Sequence, residues 1–352
     1  MKIKNLFFIF LSGCATRHFK TELTKDQVEQ KQLAAIEKLS SEGQYPRALN
    51  EIESFRQTHK ESIYYQASRL VEAKTYYDMQ DFNKSLEIYE DILSLGPEKY
   101  PSIWTRARYE STFVLEVLGD DLKAITTLVG LENSPNLSEE VKFAERPARL
   151  AALYSRQGNE KEASTYLDRA DRGLKYLMSR NDLSRDRVWL SETLYRMGKS
   201  NRTPLSEENI AQQLQSQRRL QVYLLRAIEQ GVPLWSQKAS EDLMQDYQTQ
   251  WNFIQAHWNN EEDRPTKLER LKDLHQLISE NMYRKPTDPN LSNPYLKNYY
   301  DFATRLEQEV SEILFSGKDV TPFTDESLKL NSIKKNFRLK TPQKSTKKDP
   351  NL

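Results

Sequence analysis

The chain has 352 residues, 29% charged and 37% hydrophobic, with 52 Lys and Arg against 51 Asp and Glu for a formal charge of +1. That balance excludes the basic signature of a nucleic-acid-binding domain, and only ten glycines leave little room for glycine-rich phosphate or dinucleotide loops. Low glycine with abundant Leu, Glu, Lys, Gln and Arg favours helix over sheet.

The first element reads as an export signal. Lys2 and Lys4 precede the apolar run Leu6-Phe7-Phe8-Ile9-Phe10-Leu11, and Ser12-Gly13 supply small residues at a cut site. The run is far shorter than the roughly 20 apolar residues a membrane-spanning helix needs. Cys14 follows at once and is the single cysteine of the chain. An exported chain of this kind has no disulfide of its own, so its stability must come from packing. Leu11-Ser12-Gly13-Cys14 resembles the lipobox of bacterial lipoproteins: Leu, a small residue, Gly or Ala, then Cys. The resemblance implies loss of residues 1–13, a diacylglycerol thioether on Cys14 and usually an acyl group on the new amine. Two or more chains anchor stably where one holds only marginally. Ala15, in the place where an Asp favours inner-membrane retention in enteric lipoproteins, implies the outer membrane and a chain facing the periplasm. Residues 14–28 are expected to form a tether.

Residues 29–180 follow one template four times. The first unit has Leu33, Ile36, Gly43, Ala48 and Ile52; the second has Ala73, Tyr76, Asp81-Phe82, Ser85, Tyr89 and Ile92. The third has Gly119, Ala124, Leu128 and Leu131, and the fourth Ala151, Tyr154, Gly158, Ala163, Leu167 and Ala170. The small residues Ala48, Ser85, Ala124 and Ala163 are spaced by 37, 39 and 39. Small residues let two helices approach closely, and Gly43, Gly119 and Gly158 are placed to end the first helix of each pair. Pro97 closes the second unit. These units resemble tetratricopeptide repeats, whose period is about 34 residues. The resemblance implies an all-α solenoid of helical hairpins, with the extra residues lengthening loops between repeats.

From 181 to 315 the chain stays helical while the repeat diverges. Val188 to Met197 reads as a helix closed by Gly198, and Ser206 as the N-cap of a helix running to about Gln230. Leu243, Tyr247, Trp251, Ile254 and Trp258 form a stripe at helical spacing, as do Leu268, Leu271, Leu274 and Ile278. Residues 284–294 contain three prolines and read as a loop. A helix from about Pro294 to Phe315 caps the array, because an uncovered apolar end would associate with other chains. Residues 316–352 read as a disordered basic tail: from Asn331 onward it carries seven Lys or Arg and one acid, Asp349.

Little in the chain suggests catalysis, a metal or a cofactor. His18, His59, His257 and His275 form no His-Glu-x-x-His helix, and no Gly-x-Ser-x-Gly or Walker loop occurs. His257 near Glu261 and Glu262 reads as a solvated loop. Tetratricopeptide arrays bind partners with the first helix of each unit. The resemblance places Lys74 and Tyr77 in such a groove, with Arg106, Tyr109 and Phe113 from the third unit and Arg149 and Arg156 from the fourth. Arg and Tyr are enriched at interface centres, so an acidic or aromatic-bearing peptide segment is the expected ligand. The resulting expectation is a non-enzymatic adaptor of the cell envelope. It would be held to a membrane through Cys14 and would bind envelope proteins rather than nucleic acid. The alternative is a peptidoglycan-acting enzyme, or an activator of one, with the repeats as docking arm.

Overall fold

The structure, a computed structural model, describes residues 24–180, 186–199, 204–258, 260–283 and 293–316. The export signal, Cys14 and the basic tail lie outside these residues. Secondary structure among the described residues is helical, and no helix there is long and apolar enough to cross a membrane. The chain divides into two compact units between Leu137 and Ser138.

The N-terminal unit holds α1 (Lys25–Ser41), α2 (Tyr45–Thr58), α3 (Tyr65–Asp78), α4 (Phe82–Ser94), α5 (Pro101–Leu118) and α6 (Asp121–Val129). Helix α1 starts within the expected tether. Thr24 accepts from the Gln27 amide while the Gln27 side chain accepts from the Thr24 amide, a reciprocal cap that starts the helix at Lys25. The turns inside the first three pairs share one geometry. Gly43, Gln80 and Gly119 have φ of 76°, 66° and 81°. The next residue returns its N–H to a carbonyl five residues back (Gln44 to Leu39, Asp81 to Tyr76, Asp120 to Leu115), closing the first helix in a Schellman turn. Asp81 and Asp120 then cap the second helix by accepting from Lys84 and Lys123 amides. Four residues further on sit Ala48, Ser85 and Ala124, each fully buried where the two helices cross. Ser85 is tolerated there because its hydroxyl donates to the Ala73 carbonyl at 2.7 Å.

Packing follows from this local code. Helices α1, α3 and α5 lie side by side in one layer, with α2 packed between α1 and α3, and α4 between α3 and α5. Two apolar clusters fill the space between layers. One is built on Leu33, Ile36, Ile52 and Phe55; the other on Leu70, Ile88, Tyr89, Ile92 and Val114. Burying one such side chain stabilises by about 1.5–3 kcal/mol.

The C-terminal unit holds α7 (Arg146–Arg156), α8 (Glu160–Ser179), α9 (Arg187–Gly198), α10 (Ile210–Glu229), α11 (Pro233–Ala256), α12 (Arg264–Met282) and α13 (Pro294–Ser316). Gly158, with φ of 70°, Asn159 and buried Ala163 repeat the same turn between α7 and α8. Ahead of α7 a π-helical turn, Val141–Glu145, is forced by Pro147, which cannot donate to the Phe143 carbonyl. Gly173 of α8 packs directly on that carbonyl: an added Cβ would lie 1.8 Å from the Phe143 oxygen.

Beyond α8 the left-handed residue and the buried small residue recur once, at Gly231 (φ of 68°) and Ser236 between α10 and α11. Gly198 is the last residue of α9, with Lys199 at the cap position, and it takes no left-handed conformation. Its missing side chain lets Leu224 approach to where a Cβ would meet Leu224 Cγ at 2.5 Å. Helix α10 starts at Ile210 with Asn209 as its cap position, while Ser206 and Asn209 bond each other reciprocally in the turn before it. The expected stripe of α11 is buried at Leu243, Tyr247, Trp251 and Ile254, but Trp258 lies past the helix end with φ of 57°. In α12 Leu271, Leu274 and Ile278 are buried and Leu268 is half-buried. A buried polar cluster joins four helices: Tyr247 Oη donates to Gln221 Oε1 at 2.6 Å, and Asn281 Nδ2 donates to Tyr247 Oη at 2.8 Å and Tyr299 Oη at 3.1 Å. Burial pushes the Tyr247 hydroxyl well above its ordinary pKa, keeping it neutral.

Candidate functional site

The layer formed by α1, α3 and α5 exposes a cleft of about 390 Å³, lined by Glu37, Lys38, Ser40 and Ser41 from α1, Val71 and Lys74 from α3, and Arg106 from α5. Each of the three helices contributes because small residues, Ala34, Ser40 and Ser41, face the space between them and cannot fill it.

Two residues expected in a groove, Lys74 and Arg106, therefore meet in one cleft. Both carry their own acid one helical turn on. Lys74 Nζ lies 2.7 Å from Asp78 Oδ2, and Arg106 Nε donates to Glu110 Oε1 at 2.7 Å. The other Glu110 oxygen accepts from Tyr89 Oη at 3.0 Å. Tyr89 is buried, and that burial, reinforced by Glu110, holds its phenol far above its ordinary range. Arg106 is pulled down by burial, but the charge and hydrogen bond of Glu110, with Glu37 across the cleft, more than compensate and leave its pKa raised. A buried phenol and a carboxylate thus hold the guanidinium at the cleft wall. Lys38 is similarly near Glu42, at 3.8 Å. The cleft is a surface of alternating charge rather than a basic trough.

The remaining expected residues are placed differently. Tyr77 is half-buried with its ring edge-on to Phe82, 5.5 Å between centroids. Tyr109 is buried and packs edge-on against half-buried Phe113. It belongs to the core, and Glu110 takes the position beside Arg106. Arg149 and Arg156 belong to the C-terminal unit. Arg149 is 0% exposed, so it cannot meet a partner in this conformation, whereas Arg156 is exposed at the end of α7. Glu37 was missed by sequence reasoning. It precedes Lys74 by 37 residues, the spacing between the first two units, and carrying the template back one unit would have found it.

The three described histidines are held by structural partners. His59 Nδ1 lies 3.1 Å from the buried Glu29 carboxylate, whose other oxygen accepts from Ser62 Oγ at 2.6 Å. His257 stacks on Phe253 and His275 bonds Ser311 Oγ at 2.9 Å. Among the described residues no group of three or more His, Cys, Asp and Glu side chains is placed to hold a metal ion. Comparison with protein-family models gives no match for this chain, and comparison with curated proteins gives none.

Proposed function

We propose that the chain is a lipid-anchored adaptor of the cell envelope, facing the periplasm, most simply from the outer membrane, and presenting tetratricopeptide-like helical pairs to partner proteins. The observation that carries this reading is the cleft across α1, α3 and α5, where Lys74 and Arg106 converge with Glu37 and Lys38. Three successive first helices supply one continuous surface, and Arg106 is held at it by Glu110 and Tyr89 rather than left to solvent. Pre-positioned charged groups lower the ordering cost of binding and select the partner's register. The membrane half of the reading rests on the lipobox-like Leu11-Ser12-Gly13-Cys14.

The test is affinity capture of the lipidated, full-length protein from its own envelope. Co-purifying chains are compared between the wild type and a Lys74→Glu/Arg106→Glu variant. Loss of one or more partners with the helical circular dichroism intact is the expected result; an unchanged set would reject the cleft as the docking surface. Separately, Cys14→Ala should move the protein to the soluble fraction, and retention in the membrane fraction would reject the anchor.

A further inference from the structure

One end of the N-terminal unit is built around the start of α1, the helix that follows Cys14. Side-chain bonds gather the neighbouring loops there. Ser62 Oγ donates to the buried Glu29 carboxylate at 2.6 Å, and His59 Nε2 lies 3.0 Å from Gln32 Oε1, so the loop between α2 and α3 is tied to α1. Arg69 on α3 pairs with Asp91 on α4 at 2.7 Å, and Trp104 Nε1 donates to the Leu93 carbonyl at 3.0 Å, which brings the loop between α4 and α5 to the same end. Ten residue steps separate Cys14 from Thr24 and span at most about 36 Å when fully extended. A lipid on Cys14 therefore keeps this end close to a bilayer, where high effective concentration favours even a shallow contact.

This end exposes apolar side chains. Ile63, in the loop between α2 and α3, is 66% exposed, and Leu95 and Val28 are each 39% exposed. Tyr100 is half-buried with Lys99 Nζ 5.3 Å from its ring centre, and Trp104 is half-buried in the first turn of α5. Tyr and Trp are enriched where acyl chains meet headgroups, and lysine stems lie along apolar surface while the ammonium reaches polar groups. The exposed charges at the start of α1 and in the two loops balance: Lys25, Lys60 and Lys99 against Asp26, Glu61 and Glu98. The opposite end of the unit, about 25 Å away along the 17-residue α1, also exposes Val117, Leu118 and Leu122. There Asp120 and Asp121 stand among the apolar groups, and α1 carries them away from Cys14.

We propose that this end of the N-terminal unit rests on the bilayer that holds the lipid, with Ile63, Leu95 and Val28 at the depth of the acyl chains and Tyr100, Lys60 and Lys99 among the headgroups. The balanced charge suits a zwitterionic surface. The inference rests on the anchor proposed at Cys14. It does not depend on what the adaptor cleft binds. Cleft residues Glu37 to Ser41 lie about 18–24 Å from Lys25 along α1, so a unit standing on this end holds the cleft clear of the headgroups and open to partners.

The test uses the full-length protein, lipidated at Cys14 and reconstituted in phosphatidylcholine vesicles. The thioether consumes the thiol of Cys14, the single cysteine of the chain. Ile63→Cys or Leu122→Cys then supplies one free thiol for an environment-sensitive nitrobenzoxadiazole dye. Both positions are exposed, and native circular dichroism checks the fold of each variant. Vesicles with brominated acyl chains quench a dye that reaches their depth. Loss of fluorescence for the dye at 63, with none for the dye at 122, is expected. No loss at 63, or equal or greater loss at 122, in protein that floats with the vesicles would overturn the inference and leave the anchor standing. Protein that does not float rejects the anchor, and this inference with it. Leu95→Asp in the Ile63→Cys background should lessen the quenching; an unchanged signal would overturn the shared surface.

Discussion

In the N-terminal unit a left-handed residue, a capping residue and a fully buried small residue recur at fixed offsets, and every helix pair is joined the same way. From α9 onward the C-terminal unit keeps the left-handed glycine and buried small residue once, at Gly231 and Ser236 between α10 and α11, and otherwise joins its helices by other means. The last residue of α9, a glycine, admits Leu224, a buried amide and phenol cluster ties α10 to α11, α12 and α13, and a tryptophan takes the left-handed position after α11. The first arrangement is local and repeats in sequence. The second relies mostly on contacts between distant residues, each used once, and these leave no period to read. Fixed offsets make the first unit tolerant of surface change and sensitive at its turns, while the second should fail through single tertiary contacts.

The sharpest test of that contrast is Gly173→Ala in α8. In an open helix this change would stabilise by up to about 1 kcal/mol. Here the new methyl meets the Phe143 carbonyl, which is backbone and held by the π-helical turn before Pro147. Overpacking of this kind should destabilise the fold by about 3 kcal/mol, seen as a lower urea midpoint with unchanged slope. A stabilised variant would mean that α8 is free to move off that carbonyl.

Tyr247→Phe comes next. Removing the hydroxyl leaves Gln221 Oε1 without its donor and takes an acceptor from Asn281, all in the dry interior. A loss of about 2 kcal/mol is expected. A loss near zero in thermal unfolding would show that the cluster rearranges and that this unit relies on shape alone.

Much of the fold was legible because spacing encodes it: Ala48, Ser85, Ala124 and Ala163 announce the pairs, and they are the residues at the crossings. The site was legible only in part. Lys74 and Arg106 line one cleft, but Tyr109 is buried one position from half-buried Glu110, and one position on a helix is about 100°. Arg149 reads as a surface residue because a guanidinium is rarely buried, yet α7 is enclosed from Arg146 to Leu153. The π-helical turn could not be inferred from spacing, since Pro147 reads equally well as a helix start. The links among Gln221, Tyr247, Asn281 and Tyr299 span up to 52 residues and carry no local signal.

A pH measurement distinguishes the units further. Burial pushes the Glu309 carboxyl on α13 up to about 7, against the lowering effect of Arg305 and with a further raise from Glu312. The folded state therefore holds a proton there that the unfolded state has released between about 4.5 and about 7. The stability contribution of this group falls as pH rises through that window. Because the carboxyl is only partly shielded, the effect should be about 1 kcal/mol after screening. Glu309→Gln should flatten the pH dependence of urea unfolding and raise stability at pH 8; a variant that tracks the wild type at all pH values would remove Glu309 as the cause.

The smallest expected effect tests the repeated turn itself. Gln80 holds the left-handed position that glycine holds in the other pairs of the template, at φ of 66°. A side chain there costs roughly 1–2 kcal/mol, while glycine gives back about 0.4–1 kcal/mol through the greater freedom of the unfolded chain. Gln80→Gly should therefore stabilise the N-terminal unit by about 0.5 kcal/mol. Gly119→Ala, the reverse change at the same place in the next pair, should destabilise it by about 1 kcal/mol or more; an added Cβ at Gly119 meets no atom within 4 Å, so the loss would come from backbone conformation alone. If the two variants shift the urea midpoint in opposite directions, the turn is one interchangeable part used repeatedly. If Gln80→Gly destabilises, the glutamine contributes something that the shared geometry does not describe, and the pairs are less alike than their spacing implies.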